Sequence, residues 1–115
     1  MSISRLQGEF TFCCAKLIIY ANSKGWYLTT GDGYRDPRVF GQFGEKKGYG
    51  KVNSVHKKRF AHDYNLFVDG EYITDGNHPA YKELGEYWKT VHPLARWGGD
   101  FKDANHFSFE FNGFK

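Results

Sequence analysis

The chain has 115 residues, 16 basic and 13 acidic, for a formal net charge of +3, and 19% of its side chains are aromatic. That length suits a single domain over residues 1–115 that buries a core without covalent staples, and so many large rings argue against disorder. The mild charge calls for no nucleic-acid partner, and no stretch approaches the roughly 20 apolar residues of a membrane span.

From Leu6, apolar residues recur at Phe10, Cys13, Cys14, Leu17 and Ala21, the spacing of one helical face. Ser4 with Gln7 suits a capping box at the start of this helix, and Gly25 suits the left-handed residue that ends it. Cys13 and Cys14 are adjacent, where bridging them to each other would be strained, so both read as buried thiols. Trp26 to Thr30 is rich in aromatic and β-branched residues and predicts a strand closed by Gly31-Asp32-Gly33.

The segment from Gly31 to Asn53 carries six glycines and Pro37 without sustained periodicity, which predicts a long surface connection, with Arg35 near its start. Lys46, Lys47, Lys51, Lys57, Lys58 and Arg59 form a local basic stretch, read first as a solvated loop and second as a surface for an anionic polymer. Phe60, Tyr64, Leu66 and Val68 then alternate with Ala61, Asp63 and Asn65, a strand that turns Asp63 off its main apolar face. Asp69-Gly70 predicts a type I′ turn into Glu71-Tyr72-Ile73.

Tyr81, Leu84, Trp88 and Val91 repeat at helical spacing between Asn77 and Val91, with Pro79 in the first turn and Pro93 past the end. Phe107, Phe109 and Phe111 alternate with His106, Ser108 and Glu110, so the last strand buries its phenylalanines and presents His106 on its other face. The order of elements predicts an α+β domain with a small antiparallel sheet and two main helices.

A catalytic zinc site typically takes three protein ligands and keeps one open position, so two histidines and a carboxylate suffice. Of the five histidines, His62 shares parity with Phe60 and Tyr64 and reads as structural. His78 and His92 each precede a proline at a helix end, where capping explains them. His56 and His106 are left, and Asp63 and His106 share the property of pointing away from the apolar side of their strands.

The run Ser54-Val55-His56-Lys57-Lys58-Arg59-Phe60-Ala61-His62-Asp63 resembles the S-x-H-x-x-G-x-A-x-D signature of the D-alanyl-D-alanine carboxypeptidase and L-alanyl-D-glutamate peptidase family, which includes many phage endolysins. Ser54, His56, Ala61 and Asp63 match, and Arg59 stands where the signature has glycine. Arg96-Trp97-Gly98-Gly99-Asp100-Phe101 and Asp103-Ala104-Asn105-His106 are similar to the family's W-G-G-D-F and D-x-x-H elements. The resemblance spans nearly the whole chain and implies a hedgehog/DD-peptidase-like fold.

By that resemblance His56, Asp63 and His106 are ligands of one catalytic Zn2+, Asp103 is the catalytic acid/base, Arg35 holds the substrate carbonyl or oxyanion, and Ser54 hydrogen-bonds substrate or a ligand. Trp97 and Phe101 read as core rather than as a substrate platform. The implied activity is cleavage of peptidoglycan stem peptides, with the L-alanyl-D-glutamate bond favoured. A D,D-carboxypeptidase and a catalytically silent zinc-binding module are the alternatives. The expected partner is bacterial peptidoglycan, with no nucleic acid, no membrane insertion and a monomeric chain. Met1 to Phe10 lacks the order of a secretory signal, so the expectation is synthesis in a bacterial host's cytoplasm and action on the wall after release.

Overall fold

A computed structural model describes residues 2–34 and 54–115. The first helix, α1, runs Ile3–Ser23 and buries Phe10, Cys13, Cys14, Leu17 and Ala21, the face that the spacing predicts. Its start corrects the expected capping box. Ser2 is the N-cap, and its hydroxyl accepts the Arg5 N–H at 3.2 Å, which places Ser4 inside the first turn. Gln7 is thereby free to reach across the chain, donating from Nε2 to the Lys58 carbonyl at 2.8 Å.

The end of α1 follows expectation. Gly25 sits at φ +80°, its N–H donates to Asn22 O, and Trp26 N–H donates to Ala21 O, the paired bonds of a Schellman motif. Strand β1, Tyr27–Thr30, leaves this turn and pairs antiparallel with β2, Ala61–Val68. Asp69 and Gly70 both have positive φ, as a type I′ turn requires, and return the chain as β3, Glu71–Tyr72.

Helix α2 spans Pro79–Val91 and buries Ala80, Tyr81, Leu84, Gly85 and Trp88. His78 caps it, its Nδ1 accepting the Ala80 N–H, and His92 ends it, its Nδ1 accepting the Leu94 N–H. Both histidines therefore have the capping roles expected. Strand β4, Ala95–Trp97, is one that periodicity did not suggest. At three residues it is too short to show alternation.

The last strand, β5, covers His106–Phe109 and stops short of Phe111, which instead forms an isolated bridge to Phe114. The fold is thus α+β, two helices with a five-stranded antiparallel sheet in the order β1-β2-β5-β4 and β3 beside β2. Phe10 meets both Trp88 and Phe109 edge to face, with ring centroids 5.7 and 5.1 Å apart, so the two helices share one core with the phenylalanine face of β5. Trp88 ties this core to the sheet, its Nε1 donating to the Arg96 and Ser108 carbonyls.

Cys13 and Cys14 are buried free thiols as expected, and burial pushes the Cys14 thiol up to about 12, which makes it inert as a nucleophile. Among the described residues no helix is long and apolar enough to cross a membrane.

Candidate metal centre

Three elements deliver the site. Register places Asp63 of β2 directly opposite His106 of β5, so two side chains chosen by parity become cross-strand neighbours on the face away from the phenylalanines. His56 arrives from a single 3₁₀ turn, Val55–Lys58, just ahead of β2. The Ser54 hydroxyl accepts the His56 N–H at 3.2 Å and caps that turn, so Ser54 acts on the site by fixing His56.

His56 Nε2 lies 3.3 Å from Asp63 Oδ1, and His106 Nδ1 lies 3.4 Å from the same oxygen. One ligand atom from each of the three residues falls within 4.8 Å of the others. A charge-assisted N–H···O bond would be shorter, about 2.7–2.9 Å. Two ligands on a tetrahedral ion, with bonds of about 2.0–2.1 Å, stand about 3.3–3.4 Å apart. The observed separations match the edge of a coordination shell.

Burial sharpens the point. His56 Nε2, Asp63 Oδ1 and His106 Nε2 are all buried with no hydrogen-bond partner among the described residues. Each such orphan costs about 1–3 kcal/mol, and two of them, His56 Nε2 and Asp63 Oδ1, stand 3.3 Å apart. A bound ion removes that cost. The His56–Asp63–His106 group can therefore hold a metal ion.

The surroundings fix the ligands for this task. Gly33 O sits 2.7 Å from His56 Nδ1, and because a carbonyl can only accept, Nδ1 carries a proton, so that in the neutral ring Nε2 is the nitrogen with a lone pair to offer. Burial alone would raise the Asp63 carboxyl, but the His106 and His56 imidazoles outweigh it and hold Asp63 well below the usual carboxylate range. Its main chain is clamped too, since Asp63 N–H donates to Asp32 O and Asp63 O accepts the Gly31 N–H, both at 2.7 Å.

The Gly31-Asp32-Gly33 run, expected only to close a strand, is thus a brace on two of the three ligands. Nothing in residue type alone points to it, because it works through backbone carbonyls and amides. His62 stays outside the cluster, stacked on Tyr64 with centroids 4.2 Å apart, in agreement with its parity.

Asp103 is exposed in the turn before β5 and is not one of the clustered ligands. Its N–H donates to Gly98 O, and its own carbonyl accepts the His106 N–H at 3.0 Å, so one turn presents both this carboxylate and a ligand. Arg35 lies outside the described residues. Trp97 is core, as expected, with Nε1 donating to Ala104 O at 2.7 Å, while Phe101 is half-buried and sets its ring against His106.

The basic stretch needs a correction where it is described. Lys57 is 5% exposed and so is not a solvated charge, whereas Arg59 is exposed and lies over the Tyr34 ring at 3.9 Å. Lys46, Lys47 and Lys51 lie outside the described residues. Arg59 also occupies the left-handed region at φ 61°, a conformation glycine adopts at little cost. Arg59 ends the 3₁₀ turn in that conformation and stacks on Tyr34.

Gly98 supplies a test of how tightly the site is built. A Cβ there would fall 2.6 Å from His106 Cβ and 3.0 Å from His106 O, and closer still to the Asp103 carbonyl. Backbone cannot yield as a flexible side chain can. Gly98→Ala is expected to destabilise the fold by about 1–3 kcal/mol and to weaken metal binding with it. Denaturant midpoints with and without metal check both effects.

No protein-family model matches the sequence, and no curated protein matches it.

Proposed function

We propose that this chain is a zinc peptidase that cuts peptidoglycan stem peptides, of the L-alanyl-D-glutamate endopeptidase type, on a fold of the hedgehog/DD-peptidase kind. One observation carries the reading: His56 Nε2 and His106 Nδ1 stand 3.3 and 3.4 Å from Asp63 Oδ1, the edge of a tetrahedral shell, and His56 Nε2 and Asp63 Oδ1 are buried with no hydrogen-bond partner among the described residues. Two nitrogens and one carboxylate oxygen suit zinc, and three protein ligands are the number that leaves a position open for catalysis.

A zinc ion there supplies Lewis acidity, making water a nucleophile near neutral pH and polarising a peptide carbonyl. His56, Asp63 and His106 hold and orient the ion, the first through its Nδ1–H bond to Gly33 O. The carboxylate of Asp103 takes the proton from the attacking water and passes it to the nitrogen of the leaving amine. Arg35, by the resemblance of its segment, holds the developing oxyanion with a fixed charge.

The choice of bond follows from what each substrate needs. A carboxypeptidase must clamp a free terminal carboxylate, whereas an endopeptidase leaves its cleft open to a continuing polymer. The one cation assigned to the centre already serves the oxyanion. Digestion of purified Gram-negative-type peptidoglycan is expected to release stem peptides beginning at D-glutamate and to leave L-alanine on the sugar. Mass spectrometry of the soluble fragments reads this directly. Free D-alanine as the sole product would keep the zinc chemistry and overturn the choice of bond.

A further inference from the structure

The outward face of α1 is apolar where a surface helix is normally polar. Phe12 and Ile19 are 64% and 69% exposed, more than any other large apolar side chain among the described residues. Gly8 and Ala15 are exposed beside them. Gly8, Phe12, Ala15 and Ile19 are spaced by four, three and four residues, so at about 100° per residue they form one narrow seam. That seam lies opposite the buried face of Phe10, Cys13, Cys14, Leu17 and Ala21.

Nothing inside the fold requires Gly8. Glycine within a helix is less stable than alanine, yet a Cβ at Gly8 would meet no atom within 4 Å. Such a position suits the close approach of another backbone. The seam therefore alternates small and large, and it complements itself. Laid antiparallel on a second copy about a two-fold axis between Cys13 and Cys14, it sets Phe12 against that copy's Ala15 and Ile19 against that copy's Gly8. Each bulky side chain then faces a gap. The polar neighbours agree: Arg5 meets Asn22, which spends its Nδ2 on Ile18 O at 2.9 Å and has Oδ1 to accept with. Lys16 forms no ion pair among the described residues, and in this pairing it comes nearer to Glu9 of the second copy than to that copy's Lys16.

We propose that α1 pairs with α1 of a second copy of this chain, antiparallel and through the seam of Gly8, Phe12, Ala15 and Ile19, in place of the monomer expected from the sequence. The pairing does not depend on the peptidase reading. A membrane surface fits the seam less well, because it rewards bulk at every apolar position and gains nothing from Gly8 and Ala15. The inner side of α1 packs on Trp88 and Phe109, on the sheet face away from the metal ligands, so the pairing leaves the metal centre of each copy uncovered. Four contact layers along a helix of about 30 Å make a small interface, and the dimer is accordingly weak and concentration-dependent.

Sedimentation equilibrium of the full chain, over a concentration series reaching the millimolar range, should show a reversible monomer–dimer equilibrium. Gly8→Ile fills the gap opposite Ile19 and should weaken the dimer by about 10-fold or more, although it adds apolar surface, and Ile19→Gly should weaken it as much. The double variant Gly8→Ile/Ile19→Gly exchanges the large and the small partner and should recover the wild-type constant to within about 3-fold. The open space at Gly8 lets the fold accept the larger side chain, and circular dichroism checks that each variant is folded. A chain that stays monomeric throughout, single variants that dimerise like wild type, or a double variant no better than the singles would overturn the pairing. So would binding of a strictly monomeric chain to phosphatidylglycerol vesicles, which would give the seam to a membrane surface.

Discussion

Asp103→Asn is expected to retain zinc and fold normally while turnover on peptidoglycan falls by roughly 10²- to 10⁴-fold, the range for losing a general acid/base. The change keeps size and leaves the backbone bonds of the turn intact, including the Asp103 carbonyl that accepts the His106 N–H. Only the proton carrier is lost. Metal content measured beside turnover makes the distinction, since a structural role for Asp103 would lower both. Near-wild-type turnover would move the role to another acid. Glu110 shares the parity of His106, but its carboxylate lies 3.4 Å from Arg96 Nε, an ion pair that ties it to β4.

His106→Ala should fail in a different way. It removes a ligand, so zinc affinity is expected to fall by more than about 100-fold, and stability should fall with it because metal binding is coupled to the folded state. Activity then disappears together with the metal rather than beside it. His62→Ala is the control, since His62 packs on Tyr64 outside the cluster and its loss should leave zinc content unchanged. Zinc lost from a folded His62→Ala chain would show that the ligand set is wrong.

The legible part of this molecule is the part written in periodicity. Alternation along β2 and β5 put Asp63 and His106 on the face opposite Phe107 and Phe109, and the register then made them neighbours. The helical face of α1 and the Asp69-Gly70 turn were readable for the same reason, because one local rule decides each. Parity did not reveal that the far side of β5 is covered as well. His106 and Ser108 are buried along with Phe107 and Phe109.

What stayed hidden depends on contacts between distant segments. His56 sits in a one-turn 3₁₀ helix that has no period to read, so elimination of the other histidines and motif resemblance, not alternation, single it out. The braces supplied by Gly33 O and the Gly31 N–H are backbone groups, which every residue possesses. Gly98 is required because His106 and Asp103 crowd it, a fact of packing that the W-G-G-D-F run marks without explaining. The start of α1 was misplaced by two residues because Ser2 and Ser4 are both good caps, and Gln7 was needed elsewhere.

The central claim is that His56, Asp63 and His106 form one zinc site, and elemental analysis tests it most directly. Chain purified without chelator should carry about one zinc per molecule, His56→Ala chain prepared alongside should carry almost none, and chelation should abolish peptidoglycan cleavage until zinc is restored. A folded chain that holds no metal and cleaves peptidoglycan equally well in chelator would contradict the account.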